Sequence, residues 1–189
     1  MRKLVRIGLM LLCCTATTAQ AAGVDLSLGS KTAQFNFNTD SSSLGYGGAD
    51  ISFGAFYNTD KDLVGSVGAM VSGAPAGTRP FSFGVGAKIY VASLDKPNKD
   101  VQAISIGGQV AYHIPGNIPM AVVVRGFYAP EVTTFGDGKD YLDLFPHFSV
   151  EFLPGTSAFV GYRYMRTHIK HADDYKMADE AVVGVKLTF

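Results

Sequence analysis

Hydrophobic and polar residues alternate along most of this chain with a period of two. Over residues 141–152 the even positions carry Leu142, Leu144, Phe148 and Val150, while the odd positions carry mostly polar side chains. Successive side chains of a strand point to opposite faces of the sheet. The pattern therefore predicts a strand with one apolar face, and residues 101–114 and 180–189 repeat it.

Turn residues divide the chain into about ten such segments. Gly, Pro, Asn and Asp, which favour tight turns, lie between them. No segment holds a helical period or a continuous apolar run long enough for a membrane helix. We predict an all-β antiparallel meander of about ten strands, with eight as the alternative. The predicted strands are 24–29, 32–38, 47–57, 63–72, 80–92, 101–114, 120–130, 141–152, 158–168 and 180–189.

The first two segments differ in which parity is apolar. Val24, Leu26 and Leu28 are even-numbered, whereas Phe35 and Phe37 are odd-numbered. The switch fits a leading hairpin, and a single strand with a bulge explains it equally well.

The face of the strands opposite the apolar one, which we call the second face, indicates which side of the sheet meets water. It holds small and polar residues, such as Ser82, Gly84 and Ser105, rather than bulky apolar ones. A soluble barrel packs its apolar face inside, whereas a membrane barrel turns that face to lipid and keeps a polar lumen. Residues 133–140 and 168–179 form longer, charged connections than 115–119 and 154–157, as outer-membrane barrels often show. We predict a monomeric up-and-down transmembrane β-barrel.

Charged residues on the second face are candidates for the barrel interior. Their opposite signs allow either a lined pore or a packed polar core, and barrels of this size are mostly filled by side chains. The lumen-lining candidates are Lys88, Arg125, Asp143, His147, Glu151, Arg163 and Lys186.

Aromatic residues lie toward the ends of the predicted strands. Such rings form girdles at the two membrane–water boundaries of outer-membrane barrels. The interface candidates are Tyr57, Tyr90, Tyr112, Tyr128, Tyr162, Tyr164 and Phe189.

Residues 1–21 have the features of a cleaved secretory signal peptide. Arg2, Lys3 and Arg6 precede a short apolar run, and Ala19-Gln20-Ala21 fits the cleavage pattern. Both cysteines of the chain fall in this segment, which leaves residues 22–189 as one cysteine-free domain. The 16 basic and 16 acidic residues balance over the whole chain, which argues against nucleic-acid binding.

Several stretches, in order along the chain, resemble the YfaZ family of outer-membrane proteins. The stretches are Phe83-Gly84-Val85-Gly86-Ala87-Lys88 with Tyr90; Tyr128-Ala129-Pro130-Glu131; Phe135-Gly136-Asp137 followed by Tyr141-Leu142-Asp143; Ala158-Phe159-Val160-Gly161-Tyr162-Arg163-Tyr164; and Val183-Gly184-Val185-Lys186-Leu187-Thr188-Phe189.

The resemblance implies an exported β-barrel in the outer membrane of a Gram-negative bacterium, with no established activity. Outer-membrane lipids and lipopolysaccharide would surround it. The last strand, ending at Phe189, also resembles the terminal strand that the barrel-assembly machinery recognises. The function expected is a structural or narrow small-solute permeation role.

His147, Ser149 and Glu151 share one face of a predicted strand and suggest an alternative function. A base next to a hydroxyl group is the layout of an activated nucleophile, here for a lipid-modifying enzyme. Residues two apart on a strand lie about 7 Å from each other, however, which is too far for a direct hydrogen bond. We therefore assign no catalytic residue and no cofactor.

Two loops carry groups that could bind cations or other surface ligands. His168, His171, Asp173 and Asp174 lie in one loop, and Asp137, Asp140 and Asp143 follow the glycines of another. Zinc sites usually need three or four positioned ligands, and the acidic loop lacks the EF-hand spacing. We assign no metal site. A further alternative function is surface adhesion or binding through residues 131–141 and 168–180.

Overall fold

A computed structural model describes residues 22–41, 48–74, 80–95, 98–170 and 174–189. The predicted signal segment 1–21 lies outside these described residues. Among the described residues no helix is long and apolar enough to cross a membrane. The strands are β1 (Ala22–Gly29), β2 (Thr32–Asp40), β3 (Asp50–Asn58), β4 (Leu63–Gly73), β5 (Phe81–Leu94), β6 (Lys99–Ile114), β7 (Met120–Ala129), β8 (Thr134–Gly136), β9 (Gly138–Leu153), β10 (Thr156–Ile169) and β11 (Asp174–Thr188).

Ten of these strands form a closed antiparallel barrel. Each pairs with its neighbour in sequence, except that β7 pairs directly with β9, and β1 pairs with β11 to close the sheet. The short β8 pairs only with the end of β6. Closure leaves no free edge on the barrel, so backbone groups are satisfied without water. The predicted barrel of ten strands is confirmed, and the first two segments are a hairpin in which Leu26 pairs with Phe35.

The barrel has two ends, which we name by what lies there. The terminal end holds the start of β1, the end of β11, the connections 115–119 and 154–155, and the described residues 41, 48–49, 74 and 80 that flank the neighbouring strands. The hairpin end holds the connections 30–31, 59–62 and 130–137, and the described residues 95, 98 and 170 that flank the neighbouring strands. The predicted long loop at 168–179 is wrong, because residues 174–179 extend β11 and pair with β10, as in Thr167 with Tyr175.

One tight turn at the terminal end depends on a glycine. Gly155 has φ +75°, in the left-handed region, and a Cβ there would lie 2.5 Å from the carbonyl oxygen of Thr188. Glycine has no Cβ to clash and accepts this conformation without strain. Pro154 and Gly155 can therefore join β9 to β10 in a turn of only two residues next to the C-terminal strand.

The outer face of the barrel is apolar on every side. Each long strand exposes at least one large hydrophobic residue there, in the parity that the alternation predicts. Examples in strand order are Leu26, Phe35, Phe53, Val67, Val85, Ile106, Val122, Leu144, Val160 and Val183. Soluble monomers rarely expose contiguous apolar patches larger than a few hundred Å². Exposed apolar side chains on all ten strands give the surface of a protein that meets hydrocarbon.

Candidate functional site in the barrel interior

The interior at the hairpin end is filled by apolar side chains, which we call the plug. Alternation alone predicts a polar lumen, and at this end that expectation is wrong. Inward positions near the hairpin end carry aromatic and aliphatic residues. On β5, for example, the even-numbered side chains point inward, and these include Tyr90, Ala92 and Leu94 as well as Lys88. The plug consists of Phe56, Val64, Tyr90, Ala92, Leu94, Val101, Ala103, Phe127, Ala129, Tyr141, Met165, Ile169, Met177 and Ala178.

A hydrogen-bonded polar layer covers the plug. Asp62 is fully buried and accepts bonds from the Asn58 amide at 2.8 Å and the Tyr175 hydroxyl at 2.8 Å. The Asn58 amide also donates to the carbonyl of Met177, and the backbone N–H of Asp95 donates to Asp62. These contacts tie the end of β3 and the two connections that contain Asp62 and Asp95 to β11. Sequence reasoning missed Asp62, which lies just outside a predicted strand.

A layer of buried charged residues lies next to the plug, on its side toward the terminal end. Asp143 accepts a bond from the Tyr90 hydroxyl at 2.7 Å and pairs with Arg163 Nη1 at 3.2 Å. The Arg163 guanidinium stacks 3.9 Å from the centre of the Phe145 ring. Lys88 Nζ lies 5.1 Å from the centre of the Tyr90 ring, within the range of a cation–π contact. We call Lys88, Asp143 and Arg163 the ion layer, to which the hydroxyl of Tyr90 is bonded from the plug.

A glycine on the neighbouring strand makes room for Lys88. Gly68 pairs directly with Lys88, and a Cβ on Gly68 would lie 2.7 Å from Lys88 Cγ. The Lys88 stem therefore occupies the space that a larger residue would fill. Placing a long cation inside so small a barrel requires this small partner.

A polar cavity of about 340 Å³ occupies the terminal half of the interior. It lies within the range of about 300–1,000 Å³ that small-molecule sites span. Charged, amide and hydroxyl groups from several strands face it. Its polar lining includes Asp25, Gln109, Arg125, His147, Ser149, Glu151, Arg163 and Lys186.

Arg125 lies between the cavity and the ion layer. Its Nε and Nη2 both donate to the same Gln109 oxygen, at 3.4 and 3.3 Å. Among the described residues no carboxylate lies within ion-pair distance of its guanidinium, and Nη1 has no hydrogen-bond partner. Arg125 is thus an internal cation whose hydrogen-bonding capacity is only partly used.

Asp25 faces the same cavity from the opposite wall. One of its oxygens accepts a bond from the Asn38 amide at 3.0 Å. The other oxygen, Oδ1, is buried and has no partner among the described residues. A buried acceptor without a partner is destabilising unless a ligand or water supplies a donor. Asp25 therefore lines the cavity while one of its oxygens is buried in the wall itself.

All seven lumen-lining candidates project into the barrel. Lys88, Asp143 and Arg163 are buried in the ion layer. Arg125, His147, Glu151 and Lys186 line the cavity, which Arg163 also reaches.

His147, Ser149 and Glu151 do not form the arrangement of an activated nucleophile. Ser149 Oγ donates to the carbonyl of Ala121 at 3.4 Å, and Glu151 accepts from the backbone N–H of Gly155 at 3.0 Å. The His147 ring stacks on Phe145 with centres 4.5 Å apart. Each of the three groups is thus engaged elsewhere, and all three face the cavity rather than lipid.

Six of the seven interface aromatics lie on the outer face. Tyr57 and Tyr128 are exposed near the hairpin end, and Tyr112 and Phe189 are exposed near the terminal end. Tyr162 and Tyr164 lie on β10, where the Tyr162 hydroxyl donates to Asp179 and Lys176 Nζ lies 5.7 Å from the centre of the Tyr164 ring.

Tyr90 is the exception, because it does not lie at the membrane interface as predicted but inside the barrel. It is 2% exposed and packs inside against Tyr141, with ring centres 4.5 Å apart. Tyr90 shares its parity with Lys88, and Tyr141 shares its parity with Asp143. The alternation therefore already indicated that both rings point inward.

The described residues of the two regions proposed for surface binding, 131–141 and 168–180, lie at the rim of the hairpin end and contact one another there. Arg166 pairs with Asp174 at 2.9 Å, and His168 contacts both Asp140 and Asp174. Within the described part of the chain no cluster of three or more His, Cys, Asp or Glu is arranged to hold a metal. His171 and Asp173 lie outside that part.

An exposed ion pair ties another part of this rim together. Lys99 Nζ donates to Asp137 at 2.9 Å, and this hydrogen bond is the main cause that holds the pKa of the Asp137 carboxyl below its usual value. Lys170 also donates to the carbonyl of Gly136 at 3.1 Å. The segment between β7 and β9 is therefore fixed to the barrel by polar contacts.

The sequence matches the family described as YfaZ precursor over residues 1–189. The chain belongs to this family. No curated protein matches it. The resemblance drawn from its ordered sequence stretches is thereby confirmed.

Two solved structures are similar to this YfaZ family member. The crystal structure of the outer membrane channel DcaP of Acinetobacter baumannii has 13% identity and a TM-score of 0.39, covering 93% of this chain and 55% of the channel. A bacterial polysaccharide outer membrane secretin has 11% identity and a TM-score of 0.41, covering 84% of this chain and 55% of the secretin. The chain spans about half the length of each of these proteins.

Proposed function

We propose that this protein is a monomeric, non-enzymatic barrel of the bacterial outer membrane with a blocked interior and a structural role. The observation that carries the proposal is the inverted distribution of its side chains. Apolar residues are exposed on all ten long strands, while Asp143, Arg163 and Lys88 are buried inside. In water this arrangement would forfeit about 25 cal/mol for each Å² of apolar surface left exposed. In a bilayer the same surface is already matched to its surroundings.

The direct test is the behaviour of the purified chain with and without lipid. We expect folded, strand-rich protein only in detergent or in lipid vesicles, and aggregation when the detergent is removed. Monodisperse, folded protein in plain buffer would contradict the proposal, because a soluble protein of this sequence would have to hide the same residues.

The plug supports a blocked rather than a conducting interior. Fully buried Leu94, Val101 and Met165 fill the hairpin end. The plug residues Tyr90 and Tyr141 extend this filling toward the terminal end. Ions crossing the barrel would have to pass through this apolar layer. We expect no steady conductance in planar bilayers. A steady conductance that changes when Arg125 or Arg163 is replaced by Glu would instead support the permeation role.

Export and assembly belong to the same proposal. Residues 1–21 would direct the chain across the inner membrane, and the strand ending at Phe189 would contact the assembly machinery. We expect Phe189→Ala to reduce the amount of assembled barrel in the outer-membrane fraction of cells. Phe152→Ala is the matched control. It removes a different exposed aromatic ring, on β9 near the terminal end, and leaves the last strand intact. Equal assembly of both variants would remove this part of the proposal.

A further inference from the structure

Three ionisable side chains form a row across β9, β10 and β11 at the hairpin end. His168 of β10 lies opposite Asp140 on one side and opposite Asp174 on the other in the antiparallel register. Its ring nitrogen Nδ1 is 3.0 Å from Asp140, and its other nitrogen, Nε2, contacts Asp174. We propose that this row is a proton-dependent clasp, which holds the ends of β10 and β11 to β9 while the imidazole is charged. This inference goes beyond the structural role proposed above.

The number of donors on the ring explains why its charge matters. A neutral imidazole has one N–H donor and one bare nitrogen, whereas an imidazolium has two donors. Both ring nitrogens of His168 face carboxylate oxygens, which only accept when they are ionised. In the neutral form one carboxylate therefore faces a lone pair, and that contact is repulsive. Only the charged ring bonds both neighbouring strands at once.

The charges of the row also balance only when the ring carries one. Arg166, two residues before His168 on β10, lies 2.9 Å from Asp174 and 3.6 Å from Asp140. One guanidinium is thus shared by two carboxylates, which leaves one negative charge without a countercharge. A proton on His168 brings the four side chains to zero.

The neighbouring lysines do not supply that countercharge. Lys176 of β11 lies opposite Arg166, donates to Asp179 and lies over the Tyr164 ring, toward the terminal end and away from the row. Lys170 donates to a carbonyl of the connection between β7 and β9. Arg166 and the imidazole are therefore the cations that hold the two carboxylates of the row.

The exposure of the row indicates how much the clasp can do. The side chains of His168 and Asp174 are 38% and 39% exposed, so protons reach them from water. An ion pair exposed in this way changes an equilibrium by about fivefold or less. Loss of the clasp would therefore loosen the ends of these strands, while the plug and the ion layer keep the barrel folded.

The direction of the pH response follows from the donor count. Histidine side chains change charge between about pH 5 and pH 8. Aspartate carboxylates ionise well below this range, so the imidazole is the group that switches within it. The clasp is closed on the acid side of the range and open on the alkaline side.

Hydrogen exchange of backbone amides tests the clasp on the refolded barrel in detergent micelles. We expect the amides of residues 165–169 and 174–178 to be about three- to fivefold more protected at pH 6 than at pH 8.5, after correction for intrinsic exchange. The amides of β3 and β4 are the internal reference and should show no such change. Equal protection of the row at both pH values would overturn the proposal.

Three variants separate the charge of the ring from its other contacts. His168→Gln keeps a donor and an acceptor but is never charged, so the low protection expected at pH 8.5 should extend to pH 6. His168→Arg is charged at both pH values, so the high protection should persist at pH 8.5. His171→Gln replaces the other histidine near the end of β10 and is the matched control, which should respond to pH like wild type.

The variants can contradict the clasp independently of one another. A pH response that survives in His168→Gln, or that disappears in His171→Gln, would overturn it. So would His168→Arg protein that is no better protected than wild type at pH 8.5, even if His168→Gln fails to fold. None of these results bears on the membrane barrel, which is contradicted only by a chain that stays folded without detergent.

Discussion

The hairpin end and the terminal end of this barrel are built from the same ten strands, yet their interiors differ completely. At the hairpin end the inward residues are aromatic and aliphatic, and they pack into the plug. At the terminal end the inward residues are short, amide or charged, and a cavity remains between them. The difference teaches that alternation fixes which side chains enter a barrel, while their size and polarity decide whether the interior is filled.

The ion layer lies at the boundary between these regions, where removing a charge should have the largest effect. Asp143→Ala would leave Arg163 buried without its partner, and breaking such a pair costs about 3–5 kcal/mol. Lys186→Ala is the matched control from the terminal half, because its exposed side chain makes no ion pair in the described structure and surface changes stay within about 0.5 kcal/mol. Urea unfolding in detergent, followed by circular dichroism, measures both. Equal losses would mean that the ion layer is no more stabilising than the cavity wall.

A smaller effect is expected from removing bulk on either side of that boundary. Leu94→Ala opens a void in the packed plug and should cost about 2–4 kcal/mol of unfolding free energy. Val123→Ala removes a half-buried side chain that already borders empty space, so we expect about 1 kcal/mol or less. The same unfolding measurement applies. A Val123 effect as large as that of Leu94 would show that the terminal half is packed as tightly as the plug.

Gly68 sharpens the comparison at the level of a single methyl group. Gly68→Ala would place its Cβ 2.7 Å from Lys88 Cγ, and overpacking of this kind costs about 1–3 kcal/mol. Gly65→Ala, on the outer face of the same strand, would place its Cβ 4.0 Å from the carbonyl oxygen of Val91 and should change stability by no more than about 0.5 kcal/mol. A neutral Gly68→Ala would indicate that Lys88 can move aside freely.

The smallest effect is expected at the rim, where Lys99 and Asp137 are both exposed. Lys99 lowers the pKa of Asp137 in the folded state, so the stabilisation is present above the unfolded value of about 3.9 and is lost as the pH falls through the folded pKa. Salt also screens such a pair. We expect the urea midpoints of wild type and Lys99→Ala to differ slightly at pH 7 and to converge as the pH is lowered toward 2. A difference that persists at pH 2 would show that Lys99 acts through something other than charge.

The sequence was enough to predict the strands and their outer face. Period-two alternation depends only on local geometry, so the ten strands, their parity and the inward direction of Arg163 could be read directly from it. The family resemblance rested on the order of short stretches such as Tyr128 to Glu131. These stretches are read from the sequence itself, so the resemblance did not depend on contacts between strands.

The division of the interior could not be read in the same way. Contacts such as Tyr90 with Asp143, or Asp62 with Tyr175, join strands far apart in the chain, and their pairing depends on the register around the whole barrel. The length of β11 was also missed, because residues 174–179 are polar and read as a loop until their pairing with β10 is known. Local pattern carries the direction of a side chain but not its partner across the lumen.

Cysteine labelling in lipid nanodiscs tests the central claim most directly, since residues 22–189 contain no cysteine. Single cysteines would replace Ser149 on the cavity wall, Ala103 in the plug and Val160 on the outer face. With a charged, membrane-impermeant maleimide, we predict rapid labelling of Ser149→Cys and protection of both Ala103→Cys and Val160→Cys until denaturant is added. Labelling of Ala103→Cys as fast as Ser149→Cys would contradict the closed end, and rapid labelling of Val160→Cys would contradict a lipid-facing exterior.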